Sequence, residues 1–220
     1  GMGAFANVDN VFLGYDTGGG TWGAASNYNV GVGNYVMDAA MNGALGNTSM
    51  GYKALQQVTT GDYNTAIGYE AGNDIVSGHN NVLIGNLAGD KSSAGGYLVI
   101  IGDNAGGADI TSAADGMILI GASAGAAITS GSGNIAIGNA AMDVLVDGDY
   151  NTVLGHGAMG SGTHTDMNYN TVIGAWAGDD MTSVAVADTV LIGGFAGSGA
   201  LTAAASGTVA VGKDALMVLT

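Results

Sequence analysis

The stretch Asn64-Thr65-Ala66-Ile67-Gly68 decides the fold, because it returns, varied but recognisable, along the whole chain. Its glycine recurs at a nearly constant spacing as Gly14, Gly33, Gly51, Gly68, Gly85, Gly102, Gly121, Gly138, Gly155, Gly174, Gly193 and Gly212. A period of about 18 residues, sustained end to end, marks a stack of coils in which each repeat buries its apolar edge only against its neighbours. The pattern predicts an all-β chain: a parallel β-solenoid, or β-roll, of about twelve 17–19-residue coils in one repeat-built domain spanning residues 1–220.

Working outward from the glycine assigns each repeat position a task. Three residues before it every repeat carries a β-branched side chain, from Val11 and Val30 to Thr171, Val190 and Val209. One residue before it every repeat carries Leu, Val, Met or Ile. Both types suit an extended backbone, and residues two apart share a strand face. The expectation is that these two columns point into the coil. The glycine then turns a corner where a side chain would clash or a positive φ is needed. Ala three residues later, from Ala54 to Ala215, indicates a crowded corner, followed by either Gly or a long apolar residue such as Leu55 or Met142. Runs such as Ile75-Val76 and Val144-Leu145-Val146 read as a second, shorter strand before the turn glycines Gly61, Gly78, Gly95, Gly131 and Gly148.

Four residues before the glycine, eight repeats carry Asn: Asn10, Asn29, Asn47, Asn64, Asn81, Asn134, Asn151 and Asn170. A row of sugar or ice ligands is one reading. A ladder of side-chain amides bonded up and down the stack is favoured, because stacked identical coils place these amides over one another.

The position between the two strand columns is expected to face away from the coil interior. It reads Phe12, Gly31, Ser49, Ala66, Leu83, Ile100, Leu119, Ala136, Val153, Val172, Leu191 and Ala210, and is mostly apolar. An exposed apolar stripe of that length calls for a cover. Other copies of the chain supply the simplest one, and a closed three-fold bundle suits a rod, with a dimer as the alternative.

The blocks Asn64-Thr65-Ala66-Ile67-Gly68-Tyr69-Glu70-Ala71-Gly72 and Asn134-Ile135-Ala136-Ile137-Gly138 resemble the head repeats of trimeric autotransporter adhesins, and still more the related repeats of tailed-phage tail fibres. The resemblance covers essentially the whole chain. It implies three parallel β-rolls side by side in a homotrimeric fibre, extracellular on a virion or a bacterial surface, that binds surfaces and is not an enzyme. The coil here is longer than in the autotransporter heads. These residues also contain no signal peptide, coiled-coil stalk or membrane anchor, which favours a tail-fibre segment, receptor-binding or shaft, over a bacterial adhesin head. Both ends stop in mid-pattern, so the chain is expected to be a piece of a longer fibre.

Composition and charge narrow the partners. Eighteen acidic residues against three lysines give a formal −15, or 3 × −15 = −45 for three chains. Nucleic acid and anionic membranes are poor partners for such a surface. No apolar run is long enough for a membrane span, and with no Cys there is no disulfide or thiolate metal site. No cofactor or metal is expected.

Motif matches that would point to chemistry are weak. Gly121-Ala122-Ser123-Ala124-Gly125 fits a nucleophile elbow, but Ser123 fills a variable repeat position held elsewhere by Lys53, Glu70, Leu87, Trp176 and Phe195. Gly18-Gly19-Gly20-Thr21-Trp22-Gly23 fits a dinucleotide fingerprint without a βαβ unit around it. Asp147 and Asp149 imitate the start of a calcium loop whose sixth and twelfth places, Thr152 and Ala158, do not fit. His79, His156 and His164 lack ligand spacing.

Aromatics offer the candidate binding surface. Trp176 and Phe195 hold the same repeat position in adjacent coils, about one strand spacing (~4.8 Å) apart. Tyr52 with Tyr69 and Tyr150 with Tyr169 pair likewise. The Trp176/Phe195 pair is the expected contact for a host cell-surface glycan or protein receptor. An ice-binding solenoid is the competing function. Its flat threonine array is interrupted here, since Thr48, Thr65, Thr152 and Thr171 are separated by Val and Ile repeats, and Thr59, Thr129, Thr163 and Thr182 are equally discontinuous.

Overall fold

The structure, a computed structural model, describes residues 7–161, 164–165, 167–179, 181, 186–199, 201 and 205–217, with the backbone alone for 164–165. Thr163 and Thr182, named above for the ice reading, lie outside them, as does the His164 side chain. The chain forms an all-β parallel solenoid. Its main sheet has twelve three-residue strands, from Val11–Leu13 and Val30–Val32 through Thr65–Ile67 to Val209–Val211, stacked in chain order with every neighbour parallel. The register is set by the motif, as in Thr65↔Val82, Ala66↔Leu83, Ile67↔Ile84.

The motif glycines stack as well. Gly68 has φ +142°, and a Cβ added there would lie 2.1 Å from the carbonyl oxygen of Gly85 in the next coil. Any side chain at this corner would force adjacent coils apart, which explains why the glycine never varies. A second, two-stranded parallel sheet is found at Leu145–Asp147, paired with His164–Thr165 through a shift of register between His164 and Thr165. At Ile75-Val76 the stacking bonds persist without a strand, with the Val76 amide donating to the Ser93 carbonyl (3.0 Å).

The strand faces are the reverse of the expectation from sequence. The middle residue of each strand points into the coil: Ala66, Leu83, Ile100, Leu119, Ala136, Val153, Val172 and Leu191 are fully buried. The flanking columns point out, with Leu13, Met50 and Leu154 among the exposed side chains. The reason is room. A coil of this size encloses one side chain per strand, facing the corner alanines Ala54, Ala71, Ala88 and Ala105, all fully buried. The two flanking columns therefore lie outside, and the stripe assigned to the exterior is the core.

Core volume is traded between two positions in most coils. Where the inward strand residue is small, the residue four past the glycine is long: Gly31 with Met37, Ser49 with Leu55, Ala136 with Met142. Where the strand residue is large, that corner is glycine: Leu83 with Gly89, Leu119 with Gly125, Leu191 with Gly197. Added Cβ atoms at Gly125 and Gly197 would lie 2.8 and 2.7 Å from the facing leucine. Filling both positions would overpack the coil and emptying both would leave a cavity. Ala66 with Gly72 departs from the rule, with Leu55 and Leu83 from the flanking coils filling that space, and so does Val153 with Met159, both fully buried.

Candidate functional site

The asparagine row is internal. Asn29, Asn47, Asn64, Asn134 and Asn151 are fully buried, which removes them as ligands for sugar or ice. The Asn64 amide nitrogen donates to Asn47 Oδ1 (3.0 Å) and to the Gly78 carbonyl (2.8 Å), while Asn64 Oδ1 accepts the backbone N–H of Asn81 (3.1 Å). Each asparagine thus ties the strand of one coil to the turn that closes it and to the coil on either side. Leu98 interrupts the row, its N–H capping Asn81 Oδ1 (2.9 Å), and Thr189 continues it beyond Asn170 (2.6 Å).

The turn before each strand carries a second, outer set of such bonds. Asp62 Oδ1 accepts the N–H of Leu45 (2.7 Å), Asp115 that of Gly96 (2.7 Å) and Asp149 that of Ser132 (2.7 Å). The calcium-like run around Asp149 therefore belongs to this turn ladder. Among the described residues, no group of three His, Asp or Glu stands where it could share a metal ion.

Two outward surfaces remain. The first is the flat face of the main sheet, built from the Val, Ile or Thr before each inward residue and the Leu, Val, Met or Ile after it. None of these positions carries a charge, although the chain's formal charge is −15. The acidic residues all fall outside the strands of this sheet.

The second surface is the corner just past the motif glycine. The residue two past that glycine adopts the left-handed conformation in coil after coil: Lys53 (φ 57°), Glu70 (51°), Ser123 (57°), Trp176 (57°) and Phe195 (60°). This geometry turns the side chain outward whatever its identity, so Ser123 is a corner residue with the same backbone as Trp176. Trp176 and Phe195 do share one column and are 37% and 42% exposed. The indole of Trp176 meets His156 (4.8 Å between centroids, 64°) and lies over Gly157, where an added Cβ would be 2.6 Å from the ring.

Tyrosines line the same corner nearer the start of the rod, where Tyr15, Tyr35, Tyr52 and Tyr69 touch in sequence at 5.4–5.8 Å. Tyr52 and Tyr69 are stacked at 18°, and Tyr150 and Tyr169 at 17°, as the repeat alignment anticipates. Lys53 bridges this patch, 3.8 Å from Glu70 and 5.4 Å from the Tyr52 ring centre. A hydrogen bond to Glu70 and the charge of that carboxylate raise the Tyr69 phenol above its ordinary 10.0. The described residues enclose no pocket, and among them no helix is long and apolar enough to cross a membrane.

No family model matches the chain. No curated protein and no solved structure matches it either.

Proposed function

We propose that this chain is a segment of a non-enzymatic, extracellular fibre. Three copies lie side by side as a homotrimeric rod, a phage tail fibre by resemblance, whose corner aromatics Trp176 and Phe195 contact a host-surface glycan or protein. One observation carries the reading: an uncharged, aliphatic sheet face runs the length of an otherwise acidic rod. Twelve strands at ~4.8 Å make that face roughly 58 Å long, and a continuous apolar surface of this extent needs a partner.

The inverted strand faces strengthen the argument for assembly. Two columns of aliphatics per strand, rather than one, call for cover. The same rod would serve a bacterial trimeric adhesin head equally well, the two differing only in the particle that carries it. The ice-binding reading keeps the sheet face open to water. Its threonines there, Thr48, Thr65, Thr152 and Thr171, are outnumbered by Val, Ile and Leu.

The test of the adhesive half uses fluorescently labelled native protein on a panel of bacterial cells, beside the Trp176→Ala/Phe195→Ala double variant. Saturable binding that the double variant loses at least tenfold supports the assignment. Equal binding by the two proteins refutes the role of this pair.

A further inference from the structure

The exposed tyrosines meet in two arrangements. Tyr52 and Tyr69 hold the same position, one past the motif glycine, in adjacent coils, and their rings stack at 5.4 Å and 18°. Tyr150 and Tyr169 share the column five before the glycine and stack at 5.3 Å and 17°. Tyr35 stands one place further past its glycine than Tyr15 and Tyr52, and meets them edge-on, at 78° and 85°. Tyrosines in one column lie face to face because equal backbone geometry aims equal side chains the same way. Tyr150 and Tyr169 have φ 58° and 59°.

The coils hold both pairs in place. The Glu70 N–H donates to the Tyr52 carbonyl (2.8 Å), and the Tyr169 N–H to the Asp149 carbonyl (2.9 Å). The Tyr150 ring also lies over Gly133, where an added Cβ would be 2.7 Å from it. All four rings are nevertheless 39–59% exposed and open to a reagent in solution. The first pair has a proton acceptor as well. Glu70 hydrogen-bonds the Tyr69 phenol and lies 3.8 Å from Lys53. A phenol loses an electron more readily when a positioned base takes its proton.

We propose that these two pairs are modification sites, at which a one-electron oxidant driven by hydrogen peroxide joins adjacent coils through a dityrosine bond. Each phenol gives one electron to the oxidant and releases one proton, that of Tyr69 going to Glu70. The two radicals couple through the ring carbons beside their hydroxyls, where facing rings bring the half-filled orbitals together. The hydrogen on each joined carbon then moves to its oxygen, which restores both phenols. In sum, two tyrosines and one hydrogen peroxide give one dityrosine and two waters. The bond forms within one chain and is independent of the assembly proposed above. It closes a loop between neighbouring coils and so restricts the unfolded chain, as a disulfide would, in a protein without cysteine.

The test treats native protein with a peroxidase and hydrogen peroxide, takes the single-chain band from a denaturing gel and maps its peptides by mass. Trypsin cuts after Lys53 and Lys91, which parts Tyr52 from Tyr69, so the first link appears as peptides 1–53 and 54–91 joined and lighter by two hydrogen atoms. Cleavage before Asp166 parts Tyr150 from Tyr169 for the second. Both links, with dityrosine fluorescence, are expected. Tyr69→Phe should abolish the first and leave the second, and Tyr150→Phe the reverse. Glu70→Gln should slow the first link by at least about tenfold, as loss of a positioned base does, with the second unchanged. Absence of joined peptides, links found only between chains, or a Tyr35–Tyr52 link formed as readily as the Tyr52–Tyr69 one overturns the sites. Equal rates at the first pair in native and Glu70→Gln protein refute the part given to Glu70.

Discussion

Truncating one rung of the buried amide ladder, Asn64→Ala, should be among the most damaging polar substitutions available. Asn64 is fully buried, and its side chain makes three hydrogen bonds: to Asn47 Oδ1, to the Gly78 carbonyl and from the Asn81 N–H. The substitution leaves its own N–H bond to Asn47 Oδ1 (2.9 Å) in place but takes the side-chain partner from two buried backbone groups. At ~1–3 kcal/mol for each orphaned group the loss is about 4 kcal/mol. For a chain of this length that corresponds to a fall in Tm of roughly 8–16 °C. Circular dichroism melts measure it, with Asn86→Ala as the control. The Asn86 bond to Asp103 is exposed, and losing it should cost about 0–1 kcal/mol. Amide exchange at Asn81 gives a second readout, because damage in a nearest-neighbour stack is local. Equal melts for the two variants would refute the view that the asparagine row holds the coils together.

Gly68→Ala should prevent native stacking at that corner, since the added Cβ would overlap the Gly85 carbonyl, whereas Gly116→Ala, with open space around it, should cost about 1 kcal/mol; equal losses of β-sheet signal would contradict the glycine stack. Ile101→Asp places a charge on the outward face and should change a lone chain little, while lowering the mass in solution to that of one chain. Asp143 tests the pH dependence. Burial, reinforced by the charge of Asp179, raises its carboxyl above the ordinary 3.8. The native state then holds the proton more tightly than the unfolded chain, so the contribution of Asp143 to stability is fully present below pH 3.8 and is lost as pH rises through the raised value. Asp143→Asn should raise Tm at pH 7 and change it little at low pH. A lower Tm at pH 7 would show the carboxylate to be stabilising.

Much of this fold is legible in the glycine period alone. The corner alanines, the parallel register and the asparagine ladder all follow from aligning repeats on Gly68. The facing of the strands does not follow, because hydrophobicity misleads there. Ile67 and Thr65 look more like core residues than Ala66 does, yet Ala66 lies inside. The missing signal was present in the pairing of sizes, Gly31 with Met37 against Leu83 with Gly89. Two positions that compensate each other in volume must share one interior. The aromatic columns are readable at the level of which residues stack, as Tyr150 with Tyr169 shows. Their place on the left-handed corner is not readable, because a non-glycine residue such as Trp176 at positive φ has no signature of its own.

The central claim is that the aliphatic sheet face is covered by other copies of the chain. The mass in solution, by light scattering on a sizing column, tests it most directly. The account requires the mass of three chains, 3 × 21.4 kDa. A mass of 21.4 kDa at micromolar concentration would contradict it, leaving a single solenoid with an open aliphatic face.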